Sequence, residues 1–377
     1  MSANIKIGND TLQGVNAVEL ENADALGSYV KFGLGVAGGY TVTFVAEGNP
    51  YTIISVTAGS AIEEPIPPTV TGLVTGWSTD EAGANLVSFP YTPTADITLY
   101  AKVSAVSTTL DENSWATISA ISAAGTGANY WAVGDTKTIA FKGTVGTLAL
   151  DASYKVFIIG FNHNSEKEGT GISFSGFRTI DSTDREVCFV DQYYGNLPAE
   201  AMAFSMNTTD TNVGGWKASK MRKKILGSTD VENGDATPDA TANPAANTLM
   251  STLPADLRAV LKPITKYTNN VGKSSAASAV SPTIDYLPIM AEFEVFGVQT
   301  NANPNEKTYQ AQYEYYKSGN SKKKYKQNDV AFAAMWWLRS PYYRFSEGFC
   351  SVVETGKVNS NEAPASVPYG VAPVFLI

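Results

Sequence analysis

The chain has 377 residues, 44% hydrophobic, 11% aromatic and 17% charged, with a formal net charge of -9 and a pI near 4.8. That length supports roughly two or three domains, and 32 Gly and 18 Pro lean towards β-rich domains with many turns. The acidic balance argues against a nucleic-acid partner, because binding a phosphate backbone needs clustered Lys and Arg. One run, Lys322-Lys323-Lys324-Tyr325-Lys326, reads as a solvated loop, with a basic contact patch as the alternative. Cys188 and Cys350 are too few for a disulfide framework, and their apolar flanks predict buried free thiols. No window reads as a membrane-spanning helix or as the apolar core of a signal peptide, so no membrane insertion is expected and the chain is expected to fold where it is made.

In chain order, residues 1–37 carry Ile5, Ile7, Leu12, Val15, Leu20, Tyr29 and Val30 between Gly and Asn turns, which predicts short strands and hairpins. This piece is too small to hold a core alone and is expected to dock on a neighbour. Residues 38–103 open with the alternating strand Tyr40 to Val45, followed by a Gly48-Asn49-Pro50 turn and the strand Tyr51 to Val56. A Pro-rich crossing at Pro65, Pro67 and Pro68, then Gly76-Trp77 and the closing Asp96 to Ala101, complete the module. Trp77 is placed over its core.

This order resembles the Listeria-Bacteroides repeat, or internalin-type B repeat, a small β-grasp-like module of bacterial and phage surface proteins. Val74-Thr75 stands where an apolar Phe commonly precedes Gly-Trp. The resemblance implies a spacer or a weakly adhesive unit.

Residues 104–377 mix both structure types. A short helix is predicted from Trp115 to Ile121 behind Ser114, and strands at Thr138 to Phe141 and Lys155 to Asn164, the second apolar enough to be central. Helices are predicted at Trp216 to Leu226 and Pro254 to Leu261, with a polar surface loop from Asp230 to Asn247. The landmarks Ser114-Trp115, Tyr130 to Asp135, Ile159 to Asn164, Gly215-Trp216-Lys217, Glu292 to Gly297, Trp336 to Pro341 and Gly370 to Pro373 resemble an uncharacterised domain of Firmicutes and their phages. That domain is similar to the C-type-lectin-like fold of sulfatase-modifying enzymes and of the targets of diversity-generating retroelements. Ala372 stands where many relatives carry Arg. The fold class expected is therefore α+β: N-terminal β hairpins over 1–37, a β-grasp-like repeat over 38–103, and a C-type-lectin-like domain over 104–377.

The C-terminal stretch alternates apparent scaffold (Ser346, Phe349, Cys350, Val352, Gly356, Val358, Ala363, Ser366, Gly370) with side chains of no consistent polarity. These are Tyr342, Tyr343, Arg344, Phe345, Glu347, Ser351, Val353, Glu354, Thr355, Lys357, Ser360, Glu362, Pro364, Val367 and Tyr369. Such a mixture suits a binding surface on a rigid scaffold, with Tyr342, Tyr343, Phe345 and Tyr369 as anchors and the charged residues as selectors. Trp336, Trp337 and Arg339 are expected beneath it. In retroelement targets variable positions arise from adenine-rich codons, often Asn codons; by that resemblance Asn359 and Asn361 would be unmutated survivors. An ordinary irregular terminus is the other reading.

The residues give little support to chemistry. His163, the single histidine, lacks a neighbouring nucleophile or second histidine and reads as structural. The cysteines have no flank that lowers a thiol pKa, and Asp135, Glu292 and Glu294 lack acid and base spacing. No catalytic residue, metal or cofactor is assigned. The expected function is non-enzymatic recognition, most simply by a phage virion component. Such a part would be made in the bacterial cytoplasm without a signal peptide, released by lysis and assembled as a homotrimer. It would contact a host-surface glycan or protein through its C-terminal face and other virion subunits through residues 1–37. A capsid or tail decoration protein and a bacterial surface adhesin are the alternatives.

Overall fold

The computed structural model describes residues 38–68, 70–197, 201–227, 238–361 and 363–377, and within residues 1–37 only the backbone of four short strands. Those strands pair antiparallel, Ala3–Ile7 with Asp10–Val15 and Glu19–Glu21 with Tyr29–Lys31. The docking surface read for residues 1–37 lies outside the described residues. The chain divides into two compact units, Met1–Val106 and Ser107–Ile377.

In the first unit Gly39–Ala46 (β1), Asn49–Thr57 (β2), Leu73–Ser78 (β3) and Ile97–Ser104 (β4) form one sheet in the order β2-β1-β4-β3. β1 and β4 run parallel, and the other pairs run antiparallel. Alternation turns Val42 and Phe44 inward; with Val56, Ile62, Trp77 and Leu99 they form the core, and Phe44 meets Trp77 edge-on at 4.7 Å. The hairpin turn sits one step earlier than the sequence suggested. Glu47 and Gly48 take it with φ of 47° and 77°, a left-handed pair that matches strand twist. Asn49 and Pro50 already belong to β2, where an edge position spares Pro50 a ladder hydrogen bond.

In the second unit the strands are Thr136–Val145 (β5), Leu148–Phe161 (β6), Ile172–Arg178 (β7), Glu186–Cys188 (β8), Ile264–Asn269 (β9), Val280–Asp285 (β10), Lys324–Lys326 (β11), Asp329–Ala334 (β12), Trp336–Pro341 (β13), Gly348–Val352 (β14), Ala363–Pro364 (β15) and Val374–Leu376 (β16). The main sheet runs β12-β11-β8-β7-β6-β5, with β16 also on β7; β8 and β11 are parallel. Two smaller sheets, β9-β10 and β13-β14-β15, carry the C-terminal face. As its apolar run predicted, β6 is interior, between β5 and β7. The helix Trp115–Ala123 (α1) begins as expected, with the Ser114 side chain accepting from the Thr117 N–H.

Four local readings are corrected. The single helix expected over Trp216 to Leu226 is broken into Gly215–Ala218 (α2), an extended Ser219 and a π-helical turn at Met221–Leu226. The buried Asp285 accepts from both Trp216 Nε1 at 3.1 Å and Arg222 Nε at 2.6 Å. Six residues apart on a regular helix, these side chains would point about 120° apart, so the break lets both reach one carboxylate. The helix expected over Pro254 to Leu261 is a single turn, Ala255–Arg258, and within the expected Asp230 to Asn247 loop Pro238–Ala242 is helical while residues 230–237 lie outside the described residues. The basic run is not a solvated loop. Lys324 is fully buried in β11, its ammonium 3.1 Å from Glu186 and over the Trp336 ring.

Candidate functional site

β13 and β14 are buried along their whole lengths, and the chain between them forms a tight projecting tip. Tyr342 N–H donates to the Gly348 carbonyl at 3.1 Å and Tyr343 N–H to Asn301 at 3.1 Å, closing its base. Asn212, fully buried, grips the tip from a distant loop. Its side-chain amide donates to the carbonyls of Tyr342, Phe345 and Gly348 at 3.1, 2.9 and 2.8 Å, and its backbone N–H donates to Ser346 at 2.7 Å. Beside it Asp210 accepts from the Ser366 N–H at 3.0 Å and its hydroxyl at 2.5 Å. Nothing in the local sequence Asn207 to Val213 marks these residues. Their partners lie more than a hundred residues away, and only Asn and Asp in a polar stretch ahead of Gly214-Gly215 hint at a structured turn.

The sequence-predicted contact residues separate into three groups. Arg344, Phe345, Glu347, Glu354, Lys357 and Ser360 are exposed, and Tyr343, Val353, Pro364 and Tyr369 are half-buried. The Arg344 guanidinium lies over the Tyr343 ring at 5.0 Å and donates to its hydroxyl. Tyr342, Ser351 and Val367 are buried, a correction to their place on the face. Tyr342 reaches inward to donate to the Ser360 carbonyl, Ser351 belongs to β14 and accepts from Asn359, and Val367 packs beneath. Ser346, read as scaffold, is exposed, and Glu362 lies outside the described residues. Asn359 is a structural linchpin: it is buried, donates to the Ser351 hydroxyl, and receives the Asn301 amide on its carbonyl at 2.7 Å. Tyr369 rests on Trp337, ring centres 4.7 Å apart, and Trp336, Trp337 and Arg339 lie beneath the surface, as expected.

A network of buried charge lies under this face. Glu294, at the N-terminal turn of Glu292–Phe296 (α3), holds Arg339 through two hydrogen bonds of 2.5 and 2.7 Å and Lys266 at 2.9 Å. Lys266 also reaches Glu168 at 2.5 Å and the Tyr313 hydroxyl at 2.8 Å. Burial alone would raise the Glu294 carboxyl, but Arg339 and Lys266 pull it well below its usual range. Glu292 accepts the N–H groups of Thr300, Asn301 and Ala302 at 3.0, 2.9 and 2.8 Å, which fixes the residue that holds both Tyr343 and Asn359. In Glu306 burial outweighs hydrogen bonds from Asn269, Ser340 and Gln310 and pushes the carboxyl up to about 7.

A carboxyl raised from 4.5 to about 7 on folding contributes stability that is full below pH 4.5 and lost as the pH rises through 7. His163 acts oppositely: burial lowers it from 6.5 to about 3, so its contribution is present above pH 6.5 and lost on acidification. Glu306→Gln isolates the first effect. Its melting temperature is expected to gain on that of the unmodified protein between pH 5 and pH 8 in calorimetry; a constant difference across that range would contradict the assignment.

His163 sits where the turn Asn162 to Asn164 folds back, both asparagines at left-handed φ (48° and 46°), with its ring stacked on Tyr313 at 3.7 Å. It borders a cleft of about 580 Å³ lined also by Gly160, Phe161, Gln312, Glu314, Lys317 and Ser318. The Ser318 hydroxyl there donates to the Glu314 carbonyl at 2.9 Å. Both cysteines are buried free thiols; burial pushes Cys188 up to about 12 and raises Cys350 well above its usual value. Among the described residues no group of three His, Cys, Asp or Glu side chains is placed to hold a metal ion.

Comparison with known families divides the chain in two. No curated protein matches it. The segment 107–196 shares the second compact unit but lies outside both matched ranges. Residues 40–102 match the Listeria-Bacteroides repeat domain, and residues 197–377 match a domain of unknown function, DUF6273, so the chain joins that repeat to that domain.

Proposed function

We propose that the chain is a non-enzymatic recognition protein that contacts a host-surface glycan or protein through the tip Tyr343 to Glu347 and the neighbouring exposed residues Glu354, Lys357 and Ser360. The observation carrying this reading is the contrast at the tip: Arg344, Phe345, Ser346 and Glu347 are exposed while the strands and anchor that hold them are fully buried. An exposed, preorganised loop with one aromatic and both charge signs loses little entropy on binding. The match to a repeat family supports display on a surface, and we place the protein on a phage particle as a receptor-binding homotrimer. Residues 1–37 would attach it to other virion subunits, and the terminal domain would be C-type-lectin-like and open to retroelement diversification. Tethered copies would compensate for weak single contacts.

The test is adsorption of labelled full-length protein to whole cells of a bacterial panel, with and without Arg344→Ala, Phe345→Ala and Glu347→Ala combined. Cell binding is expected to fall roughly tenfold or more with an unchanged melting temperature. Undiminished adsorption by the triple variant would refute the tip as the contact.

A further inference from the structure

The basic run absorbed by neither the fold core nor the tip has a second role beyond Lys324. Lys322, Lys323 and Lys326 flank the buried lysine in and beside β11, and Arg185 and Lys357 come to the same neighbourhood from other parts of the chain. Lys323 and Arg185 both lie against Tyr325, at 4.8 and 4.7 Å from its ring centre. Lys322 lies over Phe296 and Tyr316, and Lys326 over Tyr194 at 4.4 Å. The turn before Lys357 presses on this segment: a side chain at Gly356, where φ is +81°, would strike the Lys323 backbone nitrogen and the Lys322 carbonyl carbon.

Among the described residues none of these five cations forms an ion pair with a carboxylate. Of the acids next to them in the sequence, Asp184 pairs with Lys155 and Arg178 and Glu186 with Arg178 and Lys324, while Asp329 and Glu354 are exposed and Asp329 is engaged by the Ala331 N–H at 3.1 Å. Lys322, Lys323, Lys326 and Arg185 are half-buried rather than free in solvent, so their charges are held in place by ring faces and not by direct ion pairs. On a chain of net charge -9 this is a local reversal of sign.

We propose that this basic corner binds a linear anionic surface polymer, a polyol phosphate or an acidic polysaccharide, whose repeating phosphate or carboxylate groups meet these cations. The cations surround a strand and reach onto a turn, a curved path that a flexible chain can follow and a rigid acidic protein surface fits poorly. Single-stranded nucleic acid is disfavoured because it needs a row of open aromatic faces to stack successive bases on; here the Tyr325 and Tyr194 rings are taken by Lys323, Arg185 and Lys326, and Phe332, 60% exposed beside Lys326, offers a single face. The assignment names a ligand class for the recognition reading and rests on that reading for its setting. Its measurement is independent of Arg344, Phe345 and Glu347, on which the adsorption test rests.

The experiment is titration of the full chain, by interferometry, against immobilised poly(glycerol phosphate), alginate, poly-glutamate, poly-dT and neutral dextran at 50 and 200 mM salt. Binding to poly(glycerol phosphate) or alginate is expected, weakening roughly tenfold or more between the two salt concentrations through counterion release; the two probes separate the phosphate from the carboxylate source. K323E/K326E/K357E should abolish it, and K357E alone, at an exposed position, should weaken it severalfold without touching the packing. K142E/K307E, reversing exposed charges elsewhere, should leave it unchanged. Three results would overturn the proposal: no binding to either polymer, equal loss in K142E/K307E, or poly-glutamate or poly-dT bound tenfold more tightly than both. No polymer binding by the unmodified chain, with normal tip-dependent cell adsorption, would sink this inference alone, and polymer binding without tip-dependent adsorption would sink only the tip.

Discussion

Glu294→Gln is expected to destabilise the second unit by roughly 3–5 kcal/mol in urea unfolding, the range for breaking a buried ion pair from one side. Glu294 is the shared counter-charge of Arg339 and Lys266, and all three side chains are fully buried. Neutralising it leaves the two cations with Glu168, whose hydrogen bond goes to Lys266, and with the more distant Glu306, which burial pushes towards its protonated form. Removing one cation along with the carboxylate restores the balance. E294Q/R339M should therefore be more stable than the sum of the two single losses predicts, by about 1–3 kcal/mol of coupling. Strictly additive midpoints would mean that the four groups do not act together.

Asn212→Ala is the second large effect, and it separates support from contact. The substitution removes the donor to three carbonyl oxygens, two of them in buried hydrogen bonds that water does not readily replace. At about 1–3 kcal/mol for a buried polar group left unsatisfied, a loss of roughly 2–4 kcal/mol is expected. The tip should also loosen: amide exchange across residues 343–347 should rise while β13 and β14 stay protected, and cell adsorption should fall although no exposed side chain has changed. Loss of protection spread evenly over the unit would show that Asn212 braces the whole fold and not the tip.

Much of this was legible in the sequence, for identifiable reasons. Period-two alternation placed Val42 and Phe44 inward, the apolar run of Lys155 to Phe161 marked an interior strand, and Ser114 announced its helix. Each of these signals is local. What stayed hidden depends on long-range pairing. The break at Ser219 follows from Asp285, and the burial of Lys324 follows from Glu186. The inward turn of Tyr342 follows from the Ser360 carbonyl, and an aromatic in a polar stretch is read as exposed when nothing shows what lies behind it. Asn359 misled for the same reason, since its composition suited a variable surface position while its amide was committed to Ser351. The anchor Asn212 carried no signal, because the atoms it binds belong to backbone.

That last property bears on how the tip tolerates change. A fastening made to carbonyl oxygens is indifferent to the letters of the sequence it fastens, since every amino acid presents the same oxygen. The side chains at positions 344 to 347 can then be rewritten without asking the anchor to adapt, and the backbone path is preserved across the alphabet. The fastening and the side chains it holds up are encoded in different parts of the gene, one near codon 212 and the other more than a hundred codons downstream, so the exposed side chains can be altered while the fastening is left intact.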